Sequence, residues 1–243
     1  MNSTVDDTTT TACQTCGQVF SYEPIMVFGR DLAAGLHRHC EDCQAKEQKA
    51  EEAARKESAT EAARASLRAM LPPDLLETDP YHAEFNLKVW DAVRRWNPSS
   101  REFSLGIIGP AARCKTRIMA LLAKRVVHRD TRIVWTSAVR LADAARDRTS
   151  NDRGIMTTAR EHLQDCLTAP WLFLDDLGKN EWHRSFESQL FQILDHRIGY
   201  HLPTVWTAND HPDAFSQLIS SLNVWPIIGR LLDRTTLIDL RED

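Results

Sequence analysis

The stretch W-L-F-L-D-D, Trp171 to Asp176, decides how the chain folds. An unbroken apolar run of this length suits a strand buried on both faces, and such strands belong to parallel sheets covered by helices. Two adjacent carboxylates then close the run. Burying them at a strand end is costly unless a cation or a catalytic task holds them there. The plain alternative is a strand that ends in two solvated acids. Residues 106–117 favour the first reading.

There the sequence reads G-I-I-G-P-A-A-R-C-K-T-R. From Gly109 it matches the phosphate-loop pattern G-x-x-x-x-G-K-[ST], with Pro110, Ala111, Ala112 and Arg113 at the open positions. One fixed position departs: Cys114 stands where the second glycine is expected. A loop between a strand and a helix N-terminus aims several backbone N–H groups at a phosphate, and the helix dipole adds positive potential. In such a loop Lys115 reaches the β- and γ-phosphates of ATP, and the Thr116 hydroxyl binds Mg²⁺. Taken alone, the broken pattern could be an ordinary turn containing Lys-Thr. Followed by the acidic strand end, it reads as the first half of a nucleotide site, in which Asp175 orients Mg²⁺ and Asp176 polarises the attacking water.

Two further pieces lie downstream. P-T-V-W-T-A-N (203–209) is an apolar strand whose end carries Thr207 and Asn209. The Asn209 amide could sense the γ-phosphate or position the water, although asparagine past a strand is also a common turn former. G-R-L-L-D-R (229–234) places Arg230 and Arg234 four apart, on one helical face. Either could serve a neighbouring subunit as an arginine finger, or simply be solvated.

Around these motifs, short apolar runs alternate with helical stretches. Strands are expected at 103–109, 132–136, 171–174, 203–207 and 236–240. Helices are expected at 85–96, 116–127, 138–147, 155–167, 184–199 and 211–222. The fold class is therefore α/β, a five-stranded parallel sheet flanked by helices. This domain occupies residues 74–243. Before it, residues 44–73 form a charged linker rich in Ala, Glu, Lys and Arg, with Glu51–Arg55 and Glu52–Lys56 at helical i,i+4 spacing. The apolar positions of this linker are nearly all alanine, so its helix has little to bury. Pro72-Pro73 stops it.

Residues 1–43 hold Cys13-x2-Cys16 and Cys40-x2-Cys43. Two such knuckles point to a tetrahedral Zn²⁺ site, while a redox pair is the alternative. His37 and His39 are possible substitutes for one ligand. Acidic residues outnumber basic ones in this segment, so it suits a protein partner better than DNA.

The 243 residues carry a net charge of −4, so any DNA contact must come from a local basic patch. The best candidate is R-D-R-T-S-N-D-R, with Arg146, Arg148 and Arg153, diluted by Asp147 and Asp152. No secretory signal opens the chain, and no apolar run reaches the ~18 residues of a membrane span. A cytoplasmic protein with no membrane contact is expected.

With these residues assembled, positions 71–240 resemble the DnaC/IstB-like family of AAA+ ATPases. The likeness rests on F-L-D-D-L-G-K (173–179), the Asp195-His196-Arg197 helix, L-P-T-V-W-T-A-N-D (202–210), W-T-S-A-V-R-L-A-D-A-A-R-D (135–147) and R-L-L-D-R (230–234). The resemblance implies ATP and Mg²⁺ as cofactors, self-association as an AAA+ oligomer with sites at subunit interfaces, and contact with single-stranded DNA. By the same analogy, the N-terminal module docks on a replicative helicase and the chain acts as a helicase loader. A transposase-helper ATPase of the IstB type is the alternative within the fold. A nucleotide-binding DNA adaptor without significant hydrolysis is the alternative of a different functional class, since Cys114 puts turnover in doubt.

Overall fold

A computed structural model describes residues 9–33, 38–81, 85, 87–99, 101–127, 131–179, 182–219 and 224–241. The chain divides into two compact units, Met1–Ala59 and Thr60–Asp243.

In the first unit, β1 (Thr9–Ala12) pairs antiparallel with β2 (Val19–Tyr22), and β3 (Met26–Val27) with β4 (Arg30–Asp31). The Asp31 carboxylate organises this unit. It accepts the Tyr22 hydroxyl at 2.8 Å and the backbone N–H groups of Ile25 and Ala33 at 3.1 and 2.8 Å. Helix α1 (Glu41–Met70) begins here and continues into the second unit. Its first four-fifths are solvated, as the alanine-rich composition predicts. Its last turns differ: Leu67 is buried, and with Ala63, Met70 and Leu71 it joins the second unit's core. The expectation of little to bury fails there because Leu67 and Met70 are the helix's only large apolar side chains, and both are used.

The second unit holds α2 (Pro73–Leu76), α3 (Leu87–Arg95), β5 (Ser104–Ile108), α4 (Lys115–Val127), β6 (Ile133–Ser137), α5 (Ala138–Asp147) and α6 (Arg153–Thr168). Then follow β7 (Trp171–Leu177), α7 (Arg184–Gly199), β8 (Thr204–Ala208), α8 (Val224–Leu232) and β9 (Thr235–Asp239). The five strands form one sheet in the order β6-β7-β8-β5-β9, every pair parallel. This is a P-loop AAA+ fold. Alternate residues of each strand face opposite cores: Ile108, Leu172, Leu174 and Trp206 lie in the core with α5 to α8, whereas Ile107, Phe173 and Val205 lie in the core with α3 and α4. Strands covered on both sides need apolar residues at every position, which is why these runs do not alternate with polar residues.

The stretch 211–222 departs from the single helix expected of it. Pro212–Gln217 is a 3₁₀ turn, and residues 220–223 lie outside the described residues. Pro212 at the turn's start suits either helix type, but the tight turn seats Phe215 in the core, where it is 1% exposed. A buried cation braces the lower sheet. Arg197 donates Nε to Thr204 Oγ1 at 2.9 Å and its terminal nitrogens to the carbonyls of Cys166, Leu167, Ala169 and Pro203. Burial pulls its pKa down to about 10.

Candidate nucleotide site and cysteine cluster

The phosphate-loop residues connect the end of β5 to the start of α4. Gly109 takes φ 143°, and Ala112 and Cys114 take φ 59°. Left-handed residues alternating with Arg113 make the kind of concave turn whose N–H groups bind anions. This explains why a glycine is expected at 114: the left-handed conformation favours it, and the cysteine adopts it regardless. Pro110, Ala111, Ala112 and Arg113 form the exposed lip, while Gly109 is buried. Cys114 is half-buried and packs against the core beside α4.

Lys115 opens α4 and is only 6% exposed. Its ammonium donates to the Gly109 and Pro110 carbonyls, each at 2.8 Å, and to Asn209 Oδ1 at 2.9 Å. Burial lowers its pKa, and the Lys179 charge adds to that, against the pull of Asp176, Asp175 and Asp210. Asn209 is thereby brought to the loop from the end of β8. Thr116 donates its hydroxyl to Asp175 Oδ1 at 2.9 Å, and Thr207 donates to the same oxygen at 2.6 Å. Burial raises the Asp175 pKa and repulsion from Asp176 adds to it, opposed by the two threonine hydroxyls and the Asp176 N–H.

The adjacent acids do not share an environment. The β7–β8 register slips between Leu174 and Leu177, and Asp176 sits in this bulge at φ 57°. A bulge re-aims side chains. Asp175 is left buried, whereas the Asp176 side chain is 33% exposed and pairs with Lys179 Nζ at 2.9 Å. The Asp176 backbone N–H donates to Thr207 Oγ1 at 2.9 Å. Thr207 and Lys179 are contacts that motif spacing alone does not reveal. The only signal for them was their place in the T-A-N and D-D-L-G-K strings.

The residues present fit a Mg-nucleotide. A buried ammonium and an anion-binding turn lie beside a hydroxyl and a carboxylate already in contact, which is the donor set for phosphate and for a hard cation.

Arg230 and Arg234 make their contacts elsewhere and do not share a helical face. Arg230, on α8, pairs with Asp195 Oδ1 at 2.7 Å and lies 5.8 Å from the Phe191 ring. Arg234 lies past the end of α8 at φ 58°, and its carbonyl accepts the N–H groups of Phe103 and Ser104. The helix ends at Leu232, so four-residue spacing did not imply a shared face. The proposed basic patch is also divided. Arg146 pairs with Asp143 at 3.1 Å, and Arg153 opens α6 behind its Asp152 cap. Arg148 instead lines a cavity beside α6 and α7.

In the first unit, the sulfurs of Cys13, Cys16, Cys40 and Cys43 all lie within 4.8 Å of one another. The Cys16–Cys40 separation is 3.7 Å, close to the roughly 3.8 Å edge of a tetrahedron with Zn–S bonds of about 2.3 Å. The first knuckle closes with Gly17 N–H donating to Cys13 O at 2.9 Å, helped by Gly17 at φ 74°. The second leads into α1, where the Cys43 N–H donates to Cys40 O at 3.0 Å. Burial opposes charge on Cys13, but the N–H groups of Cys16, Cys40 and Thr15 bring its pKa down to about 5. Hydrogen bonding to the Cys16 and Cys40 sulfurs pushes Cys43 up to about 12. The cluster thus fits a dication that neutralises several thiolates at once. His39 Nδ1 lies 2.9 Å from Thr15 Oγ1 and outside the sulfur cluster; His37 lies outside the described residues.

No helix among the described residues is long and apolar enough to cross a membrane. The family model for IstB-like ATP binding protein matches residues 96–242. No curated protein matches the chain. Among solved structures, DnaI aligns with TM-score 0.55 at 20% identity, over 70% of this chain and 91% of that one. A putative primosome component from Streptococcus pyogenes serotype M3 aligns with TM-score 0.53 at 18% identity, over 70% and 89%. A DNA replication initiation factor aligns with TM-score 0.51 at 19% identity over 70% of this chain; the alignment spans only 51% of that protein's length. At these identities the likeness establishes the fold.

Proposed function

We propose, from the premise that this chain belongs to the IstB-like ATP-binding protein family, that it is a Mg-dependent ATPase that loads a replicative helicase onto single-stranded DNA. The observation that carries the ATPase reading is the convergence of Lys115, Thr116, Asp175, Thr207 and Asn209 at the ends of β5, β7 and β8. Ligands bind at the carboxyl ends of strands in sheets of this kind.

In this reading Lys115 would hold the β- and γ-phosphates, and Thr116 and Asp175 would hold Mg²⁺, which would neutralise charge on the transferred γ-phosphoryl group and the ADP leaving group. Thr207 fixes the Asp175 carboxylate. Asp176, turned outward by the bulge, takes a proton-accepting position toward water. Asn209 orients that water or reads the γ-phosphate. Arg230, fixed by Asp195, serves a neighbouring copy as the finger, with Arg234 as the other candidate. The four cysteines hold Zn²⁺ in a module covering residues 1–43, joined through the 44–73 linker to the ATPase domain at 74–243. That module is the protein-docking element. The sites act in a cytoplasmic oligomer.

The loader role is supported by the fold shared with DnaI and a primosome component. The second reading is a transposase helper of the IstB type acting on duplex DNA, and what supports it is the IstB-like family match alone. ATP turnover measured alone, with oligothymidine and with duplex DNA separates them, alongside co-purification with a replicative helicase. Stimulation by the single strand and helicase capture support the loader. Stimulation by duplex alone supports the transposase helper. No turnover in any condition leaves the nucleotide-binding adaptor.

A further inference from the structure

Two arginines in the second unit are used in opposite ways. Arg197 directs its guanidinium nitrogens onto five oxygen acceptors and is fully buried. Arg148 has its Nε buried with no hydrogen-bond partner among the described residues. That nitrogen is closed off from solvent, so a guest can be met only by the terminal nitrogens of this partly exposed guanidinium.

Arg148 lines a cavity of about 310 Å³ beside α6 and α7. Arg160 lines it too, held there by its Nε donating to the Arg148 carbonyl at 3.1 Å. Neither guanidinium pairs with a carboxylate among the described residues, and no acidic residue is among those lining the cavity. Arg148 is partly exposed and Arg160 exposed, so the two guanidinium groups line the cavity with charge-assisted donors that suit an anionic guest.

The remaining walls narrow the guest's chemistry. Gln189 Nε2 donates to Gln192 Oε1 at 3.0 Å, which leaves the Gln189 oxygen and the Gln192 nitrogen as an adjacent acceptor and donor. A side-by-side acceptor and donor matches the edge of a nucleobase. Leu163 and Ile193 supply an aliphatic wall for a ring. The volume lies at the lower end of the small-molecule range.

We infer that this cavity binds one nucleoside phosphate unit, with the phosphate on Arg148 and Arg160 and the base against Gln189, Gln192 and the aliphatic wall. None of these residues belongs to the phosphate loop or its partners, so this is a second nucleotide site. It does not rest on the helicase-loader reading. The guest is either a free nucleotide or one unit of a nucleic-acid strand, because both present the same chemistry.

The test uses the full chain with the phosphate loop saturated by ADP and Mg²⁺. Binding of dTMP is measured by calorimetry, and binding of labelled oligothymidine by fluorescence anisotropy. The variants are Arg148→Gln combined with Arg160→Gln, and separately Gln192→Glu. Gln192 is exposed, so that second variant tests the site even if the arginine pair proves necessary for folding. Each variant should weaken binding about tenfold, while ADP affinity stays at the wild-type value. A loss confined to dTMP assigns a free nucleotide; a loss on the strand assigns nucleic acid. The inference is overturned if the wild type binds neither probe, or if the variants bind both as the wild type does.

Discussion

The Lys115 ammonium and the Asn209 side-chain oxygen are 2.9 Å apart, joining the phosphate loop to the end of β8. With the Gly109 and Pro110 carbonyls, this contact occupies all three ammonium protons. A phosphate competes for those protons, so nucleotide binding and the position of Asn209 are linked. Lys115→Ala should abolish ATP binding. Asn209→Ala should retain binding while lowering turnover about 10- to 100-fold. Equilibrium binding of a fluorescent ATP analogue and steady-state hydrolysis check both, and a wild-type turnover rate in Asn209→Ala would remove that residue from the site.

The bulge gives the adjacent acids different environments, and under the proposed roles their variants should behave differently. Asp176→Asn should bind ATP normally and lose at least ~100-fold in hydrolysis, because its amide cannot accept the water's proton. Hydrolysis by this variant at the wild-type rate would refute the assignment.

Asp175 carries a linked stability effect. Its folded pKa is raised by burial and by Asp176, so the ionised carboxylate opposes folding. The stability the group confers is fully present below the ordinary aspartate value and is lost as pH rises through the raised folded value. Asp175→Asn keeps an oxygen for Thr116 and Thr207 without the charge. In the absence of nucleotide, it should therefore melt higher than wild type near neutral pH, with the gap closing as pH falls through the aspartate range. Mg-ATP should stabilise the wild type and leave the variant's melting temperature nearly unchanged. Thermal melts across pH with and without Mg-ATP test both signs.

About one zinc per chain should be found in freshly reduced protein, bound by Cys13, Cys16, Cys40 and Cys43. Changing Cys13 and Cys16 to serine should remove it, with loss of protease resistance in residues 9–33. Elemental analysis showing no metal would leave the four thiols as a reduced cluster.

Cys114 combines a left-handed backbone with a half-buried thiol. A side chain in that conformation costs roughly 1–2 kcal/mol, so Cys114→Gly should stabilise the protein by about 1 kcal/mol once the lost packing of the thiol is subtracted. The thiol also lies between Arg113 and Lys115 at the start of a helix, conditions that favour reactivity. Mg-ATP should protect it from alkylation. Equal labelling with and without nucleotide would place it away from the phosphates.

Much of this was legible because the physics is local. Buried parallel strands must be apolar at every position, so W-L-F-L and T-V-W-T announced themselves, as did the helices between them. The conserved chemistry of a phosphate loop is likewise written in consecutive residues. What stayed hidden depended on register or on distant partners. The slip between Leu174 and Leu177 that separates Asp175 from Asp176 is a relation between two strands. The helix end at Leu232, which removes Arg234 from the face of Arg230, follows from that residue's left-handed turn into β9. That Arg148 lines a cavity with residues of α6 and α7 is a tertiary relation, whereas in sequence it looked like part of an exposed basic run.

Gly109 holds the loop against the last strand. A β-carbon there would lie 2.6 Å from the Leu240 β-carbon, and Leu240 N–H donates to the Ile108 carbonyl at 2.8 Å. The phosphate cradle is thus leaned on from behind by residues more than a hundred positions later in the chain. Strain applied at the end of β9, by a fused partner or by a pull on that strand, would reach the loop through one glycine's missing side chain, and from the Gly109 carbonyl it would pass directly to the Lys115 ammonium.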